Sequence, residues 1–257
     1  MNLRLMFSAA VVMIASAACA ADTVSASELA ARLNALRQDG ASYVRLRMEI
    51  KGAKRETLQL QIKQRLTKSS SEVVYQVLFP KERKGESVLL KRVGRSISGS
   101  TFTPPDSVRA INDMKEPLFG SDLSYEDAID NFCAWEQQAI VGTEVVDGVS
   151  CQILESKPGK GERSSYASVR SWIDTKRLVP MRIEKYSSSG QLLRHIDTTR
   201  VVTDAGHPIP ANLAVRGARQ DSSTLLDGSR IKHDVSYTDA EFSAEGLKDI
   251  SVPHGAP

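Results

Sequence analysis

Residues 43–65 read YVRLRMEIKGAKRETLQLQIKQR. Val44, Leu46, Met48 and Ile50 alternate with Arg45, Arg47, Glu49 and Lys51; beyond Gly52-Ala53-Lys54, Leu58, Leu60 and Ile62 alternate with Gln59, Gln61 and Lys63. A period of two on both sides of a turn is the pattern of antiparallel strands with one apolar and one watered face. Upstream, Ser25-Ala26-Ser27-Glu28 fits a capping box, and Leu29, Leu33 and Leu36 follow at helical spacing up to Gly40. Downstream, the strand pattern returns in VVYQVLFP, ESVLLKRV and SISGSTF, the last ended by Pro104-Pro105. CAWEQQAIVGTEVV and SCQILES flank an Asp147-Gly148 turn, followed by SYASVRSWID, VPMRIEKY, QLLRHIDTTRVV, ANLAVRGAR and TLLDGSRIKHDVSY.

These segments amount to roughly ten to twelve strands in meander order. The expected fold is mainly β: a single large, curved antiparallel sheet with an N-terminal helix and short helices near Ser124 and over FSAEGL. A sheet this wide with one apolar face must close, stack or be covered. So few helices do not fill its concave side, which leaves an apolar cavity suited to an acyl chain. The candidate lining residues are Leu46, Met48, Leu58, Leu60, Ile62, Tyr75, Val77 and Met181, with Trp135 and Trp172 at its mouth or under its cover. Ordinary core is the alternative reading for each.

The first twenty residues, MNLRLMFSAAVVMIASAACA, carry one charge, Arg4, then an apolar run and Ala18-Cys19-Ala20. That is the layout of a secretory leader cleaved after Ala20; the other reading is a lipoprotein acylated at Cys19. Domain boundaries follow as 1–20 for the leader, 21–250 for one domain and 251–257 for a flexible tail. The whole chain has 34 basic and 31 acidic residues, so without Arg4 its charge is about +2. That gives no electrostatic case for nucleic acid. Cys133 and Cys151 would remain in an oxidising compartment and are disulfide candidates. If Asp147-Gly148 is a hairpin turn, however, Cys151 lies opposite a residue near Glu144.

LFGSDLSYEDA, residues 118–128, crowds Asp122, Ser124, Glu126 and Asp127 around Tyr125. It lacks the alternating ligands and central glycine of a calcium loop. Its reading is a helix start, with Asp122 or Ser124 as cap and Tyr125 filling an apolar gap, in preference to a catalytic dyad. His195, His207, His233 and His254 lack metal-ligand spacing, and no nucleophile elbow, nucleotide loop or zinc motif occurs. No catalytic residue, metal or cofactor is expected.

The same stretch, Gly120-Ser121-Asp122-Leu123-Ser124-Tyr125-Glu126-Asp127, resembles the GSDFSYED signature of the outer-membrane lipoprotein-sorting protein family, relatives of the carriers LolA and LolB. LFPKERKGESVLL, TFTPPDSVRAI, VGTEVVDGVSCQILESKP, SYASVRSWIDTKRLVPMRIEKYSSSGQLLR, STLLDGSRIKH and FSAEGL resemble further family segments, in the same order. Leu123 departs from the family's phenylalanine, and Phe102 with its two prolines from a tyrosine segment. The resemblance implies an unclosed, half β-barrel around a hydrophobic cavity with a helical lid. It implies a periplasmic, monomeric carrier for lipoprotein acyl chains or other lipids, served by an inner-membrane lipid or lipoprotein transporter. The alternative is a sensor or adaptor like the regulators RseB and MucB, which recognise a lipidic signal and hold a membrane-protein partner. A hydrolase of envelope lipids would need a nucleophile–base pair that the sequence does not show.

Overall fold

The computed structural model describes residues 24–36, 40–67, 69–218 and 221–252. The leader with Cys19, and residues 253–257 of the expected tail, lie outside the described residues. Helix α1 (Ala26–Ala35) starts at Ser25, whose Oγ accepts the Glu28 N–H at 3.2 Å. Six strands follow: β1 (Gly40–Lys51), β2 (Arg55–Leu66), β3 (Ser70–Phe79), β4 (Ser87–Val93), β5 (Ser96–Thr103) and β6 (Ser107–Ala110). After a long connection come β7 (Gln137–Val146), β8 (Val149–Lys157), β9 (Ser168–Asp174), β10 (Val179–Tyr186), β11 (Leu192–Asp204), β12 (His207–Arg216) and β13 (Ser223–His233). β6 escapes sequence reading because four residues carry no period and Pro104-Pro105 reads as a stop.

All thirteen strands form one sheet, in the order β6-β5-β4-β3-β2-β1-β13-β12-β11-β10-β9-β8-β7. The stripes pair as their periods require, with Leu46 opposite Leu60 and Met48 opposite Leu58. The pairing of β1 with β13, Met48 opposite Leu226, joins the two halves of the meander. Its consequence is that β6 and β7, successive along the chain, are the two edges of an unclosed sheet.

The chain between them therefore has to travel from one edge to the other, and residues 111–136 cross one face to do so. That inner face carries Met48, Leu58, Leu60, Val77, Val88 and Leu90 from one half and Ile196, Val215 and Leu226 from the other. Leu118, Phe119, Tyr125 and Ile129 of the crossing segment complete this core. α1 covers the same face farther along, where Leu29 and Ala30 bury against Leu154 and Ile173.

On the outer face, FSAEGL does not form one helix but belongs to two 3₁₀ turns, Asp239–Phe242 and Gly246–Lys248. Phe242 and Leu247 pack on Val74, Leu89 and Phe102. The outer side of β2 and β3 is consequently not watered: Gln61, Lys63 and Gln76 are buried. Gln76 donates to the backbone carbonyls of Leu247 and Asp249, and Gln61 to that of Ile250, which satisfies their amides.

Gly99 marks where the crossing segment departs. It lies opposite Leu90 in β5, and the Ile111 N–H donates to its carbonyl at 3.0 Å. A Cβ at position 99 would stand 2.7 Å from the Leu89 carbonyl oxygen and 2.8 Å from Ile111 Cδ1. Gly99→Ala is expected to destabilise the fold by about 1–3 kcal/mol, since backbone cannot yield to the added methyl. Thermal denaturation followed by circular dichroism checks this.

Candidate functional site

The cover over the inner face is a small hairpin, not the helix that the spacing of Ser124 to Asp127 suggests. Leu118 donates its N–H to Leu123 O, Tyr125 to Glu116 O, and Glu126 to Met114 O, at 2.8–3.0 Å. At its tip a 3₁₀ turn, Leu118–Gly120, contains Phe119 at φ 52° and Gly120 at φ 83°. Two consecutive left-handed residues reverse the chain, and glycine takes one of them at no steric cost. The Ser121 hydroxyl accepts the Leu123 N–H at 3.2 Å. Ser124 and Asp127 do satisfy each other as cap groups: Asp127 Oδ2 accepts the Ser124 N–H, and Ser124 Oγ accepts that of Asp127. They close a turn and start no helix.

Each acidic residue of the motif is a fastener. The Asp122 carboxylate accepts hydroxyl hydrogen bonds from Thr224 at 2.8 Å and Ser222 at 2.5 Å, tying the hairpin to β13 and the turn before it. Glu126 accepts from Ser164 Oγ at 2.6 Å and from the Ser165 N–H. Asp127 is deepest: its carboxylate receives Lys185 Nζ at 2.9 Å, Arg194 Nε at 2.9 Å and Tyr166 OH at 2.7 Å, besides Ser124. Lys185 also reaches Asp130 at 3.1 Å and lies over the rings of Phe132 and Tyr166.

Burial opposes charge at both Asp127 and Lys185, yet each holds the other ionised. Desolvation pushes the Asp127 carboxyl up, but Lys185 and Arg194 outweigh it and hold it well below the carboxylate range. Desolvation pushes Lys185 down, but Asp127 and Asp130 hold it above the usual lysine value. Burial and then Asp127 raise the Tyr166 phenol, which stays protonated and donates. Asp127, Lys185 and Tyr166 thus form a charge-paired clasp, and none of the three is poised to exchange a proton near neutrality. Among the described residues no cluster of three His, Cys, Asp or Glu could hold a metal ion.

The sheet sorts the stripe residues unevenly. Leu46, Met48, Leu58, Leu60, Tyr75 and Val77 do meet on the inner face, but packed beneath the hairpin and not around an open void. Ile62 is half-buried on the same face, paired across β2 and β3 with Tyr75. Trp172 and Met181 point the other way. They belong to an outer cluster with Val146, Cys151 and Val179, and the Trp172 indole donates to Glu144 at 2.8 Å. Strand alternation sends Ile173 inward and so turns Trp172 outward. Among the described residues, Cys133 and Cys151 are not bridged to each other. Cys151 lies opposite Glu144 on the outer side, whereas Cys133 sits in the 3₁₀ turn Phe132–Ala134, whose neighbours pack on Val169 and Ile183 of the inner face. The sheet separates the two.

A cavity of about 510 Å³ opens at one end of the inner face. Of the ten stripe and tryptophan candidates, only Trp135 lines it. Sequence reading missed Lys185, Arg194, Tyr166, Ser71 and Arg92. A signal existed for three of them. Lys185 follows Ile183, Arg92 follows Val88 and Leu90, and Ser71 precedes Val73, Tyr75 and Val77, each at a period of two. A polar residue that continues an apolar stripe announces a buried partner or a polar pocket.

Asp127→Asn is expected to cost about 3 kcal/mol, the lower part of the range for removing one partner of a buried pair, because Asp130 still faces Lys185. The folded carboxyl titrates below its unfolded value, so its stabilisation is fully present above about pH 4 and fades as the pH falls below that. Urea denaturation of wild type should therefore show stability dropping with acidification in this window, with a shallower drop in Asp127→Asn.

The geometry can be set beside known proteins. A family model whose description reads "Uncharacterized protein" matches residues 71–249. No curated protein matches the sequence. Among solved structures, a DUF1329 family protein from Desulfovibrio piger is 24% identical, with TM-score 0.80 over 86% of this chain and 97% of the other. An outer membrane lipoprotein-sorting protein domain from Vibrio parahaemolyticus is 19% identical, with TM-score 0.79 over 87% and 98%. A LolA superfamily protein from Nitrosomonas europaea is 18% identical, with TM-score 0.70 over 86% and 98%. The chain belongs to the family matched over residues 71–249, and its fold is the open sheet of the lipoprotein-sorting and LolA superfamily structures.

Proposed function

We propose that the protein is a periplasmic carrier that takes lipoprotein acyl chains, or other lipid chains, against its inner face and passes them between the membranes. The observation that carries this reading is the cover. Among the described residues, the aliphatic inner face of a thirteen-stranded sheet is shielded by one hairpin and one ten-residue helix, with no second sheet over it. The names of two structural neighbours, a lipoprotein-sorting protein domain and a LolA superfamily protein, support the choice of cargo. Delivery of cargo by an inner-membrane transporter, and action as a monomer, belong to the same proposal.

The mechanism is an exchange of covers. Leu118, Phe119, Tyr125 and Ile129 shield the stripe in the empty protein, and an acyl chain takes their place in the loaded one. Transfer of a long chain from water supplies on the order of 10 kcal/mol at about 0.8 kcal/mol per methylene. It is set against the about 3–5 kcal/mol at stake in undoing a buried ion cluster, so the exchange is favourable where the displaced hairpin keeps its own apolar side chains largely covered. Release runs in reverse, with the clasp re-forming as the chain leaves. Met48, among the buried lining, adapts its shape to different chains.

Lipid extraction and mass spectrometry of the protein purified from periplasm should find acylated molecules in stoichiometric amount. An empty protein that also fails to bind a fluorescent long-chain acyl probe would contradict the reading, and tight binding of a membrane protein's periplasmic segment without lipid would favour an adaptor. The clasp supplies a second test. Asp127→Asn, assayed where it remains folded, should bind the acyl probe more tightly than wild type, because a loosened cover raises the fraction of protein able to accept cargo.

A further inference from the structure

The cavity at the end of the inner face is unlike the stripe that leads to it. The stripe runs through Leu60 and Val77 to Ile62 and Tyr75, and the same alternation continues to Leu66, Ser71 and Arg92. Leu66 and Arg92 are the cross-strand partners of Ser71 on its two sides, and all three line the cavity. Trp135 closes it from the far half of the sheet.

Three of these lining side chains hold a buried polar atom without a hydrogen-bond partner among the described residues: Ser71 Oγ, Arg92 Nε and Trp135 Nε1. Ser71 is 4% and Trp135 5% exposed. Orphans of this kind are uncommon in folded proteins, and an indole N–H can only donate. Three on residues that line one cavity favour a ligand that supplies acceptors, reached by rotation of these side chains, because the atoms themselves are closed to the cavity as they stand. The rest of the Arg92 guanidinium is already engaged, by Glu162 at 3.3 Å and more distantly by Asp130 at 3.7 Å. Arg95, also at the cavity, lies 3.7 Å from the same Glu162. Among the described residues the cations at the cavity are balanced by carboxylates, which favours a neutral acceptor over a phosphate.

We infer that this cavity binds the ester or amide carbonyl that joins an acyl chain to its headgroup, with Trp135, Arg92 and Ser71 as the hydrogen-bonding residues. The inference rests on the carrier reading and gives the cargo a direction: the hydrocarbon lies along the inner face in the place the hairpin vacates, and the linkage sits at the end where the β2–β3 and β4–β5 turns meet the segment after Asn131. A polar group fixed there also sets which end of the cargo emerges first on release.

The test compares monododecanoylglycerol with the dodecyl ether of glycerol, which lacks only the carbonyl, by calorimetric titration below their aggregation concentrations. The ester should bind about tenfold more tightly, the worth of roughly one well-placed hydrogen bond. Trp135→Phe, which keeps the ring and removes one of the three donors, should shrink the ratio of ester to ether affinity. In the wild-type protein the Trp135 indole N–H resonance, assigned with Trp172→Phe, should move downfield with the ester and not with the ether; this readout stands even if Trp135→Phe folds poorly. Equal affinities for ester and ether, or an indole resonance that ignores both while they bind, would overturn the inference and leave the carrier reading standing. Binding of neither compound would instead count against the carrier reading itself. Tighter binding of dodecyl phosphate than of the ester would also overturn it, by assigning the cavity to an anion.

Discussion

The pairing of β1 with β13 leaves β6 and β7, neighbours along the chain, at opposite edges of the sheet, so residues 111–136 have no course except across the inner face. That crossing needs a fixed landing point, and Asp127 provides it by meeting Lys185 and Arg194 in a water-poor core. Aliphatic contacts alone would let Leu118, Phe119 and Tyr125 settle in several registers, since apolar packing is non-directional. A buried carboxylate with five donors has one. Such a cluster adds little net stability compared with an apolar filling of the same volume. What it supplies here is position, and it ties one edge-to-edge connection to β10 and β11.

This division of labour explains why the motif carries three carboxylates. Asp122 fastens the hairpin to β13, Glu126 to the loop before β9, and Asp127 to β10 and β11. The hairpin is thus held by polar bonds at its ends while its apolar middle lies on the stripe. Polar fastenings that regain water on opening, over an apolar contact that an alkyl chain can replace, make a cover that is secure when empty and displaceable when cargo is present.

Much of the sheet was legible in the sequence because β1, β2 and their successors face two different environments, and Leu46, Met48, Leu58 and Leu60 record this in a period of two. The crossing was not legible. The contact of Met48 with Leu226 spans most of the chain and leaves no local mark, so nothing near Asp127 says that its partners lie at 185 and 194. Local reasoning took Asp122 or Ser124 for the cap of a helix, whereas tertiary hydrogen bonds accepted by Glu126 and Asp127 decide the backbone there. Trp172 faces outward because its neighbour Ile173 takes the inner side of β9, and Met181 does so because a bulge between Pro180 and Arg182 shifts the register of β10 and obscures its parity. The polar end of the inner face could have been found, since Ser71 and Arg92 interrupt stripes that are otherwise aliphatic.

The central claim is that cargo takes the place of the hairpin on the inner face. Hydrogen–deuterium exchange with and without bound monododecanoylglycerol tests it most directly. The amides of Leu118, Tyr125 and Glu126, which close the hairpin on itself and on its flank, should exchange faster in the loaded protein, while the β1–β2 ladder around Met48 and Leu58 keeps its protection. If the ester binds and those three amides stay as protected as in the empty protein, the chain lies elsewhere and the hairpin is a permanent part of the core.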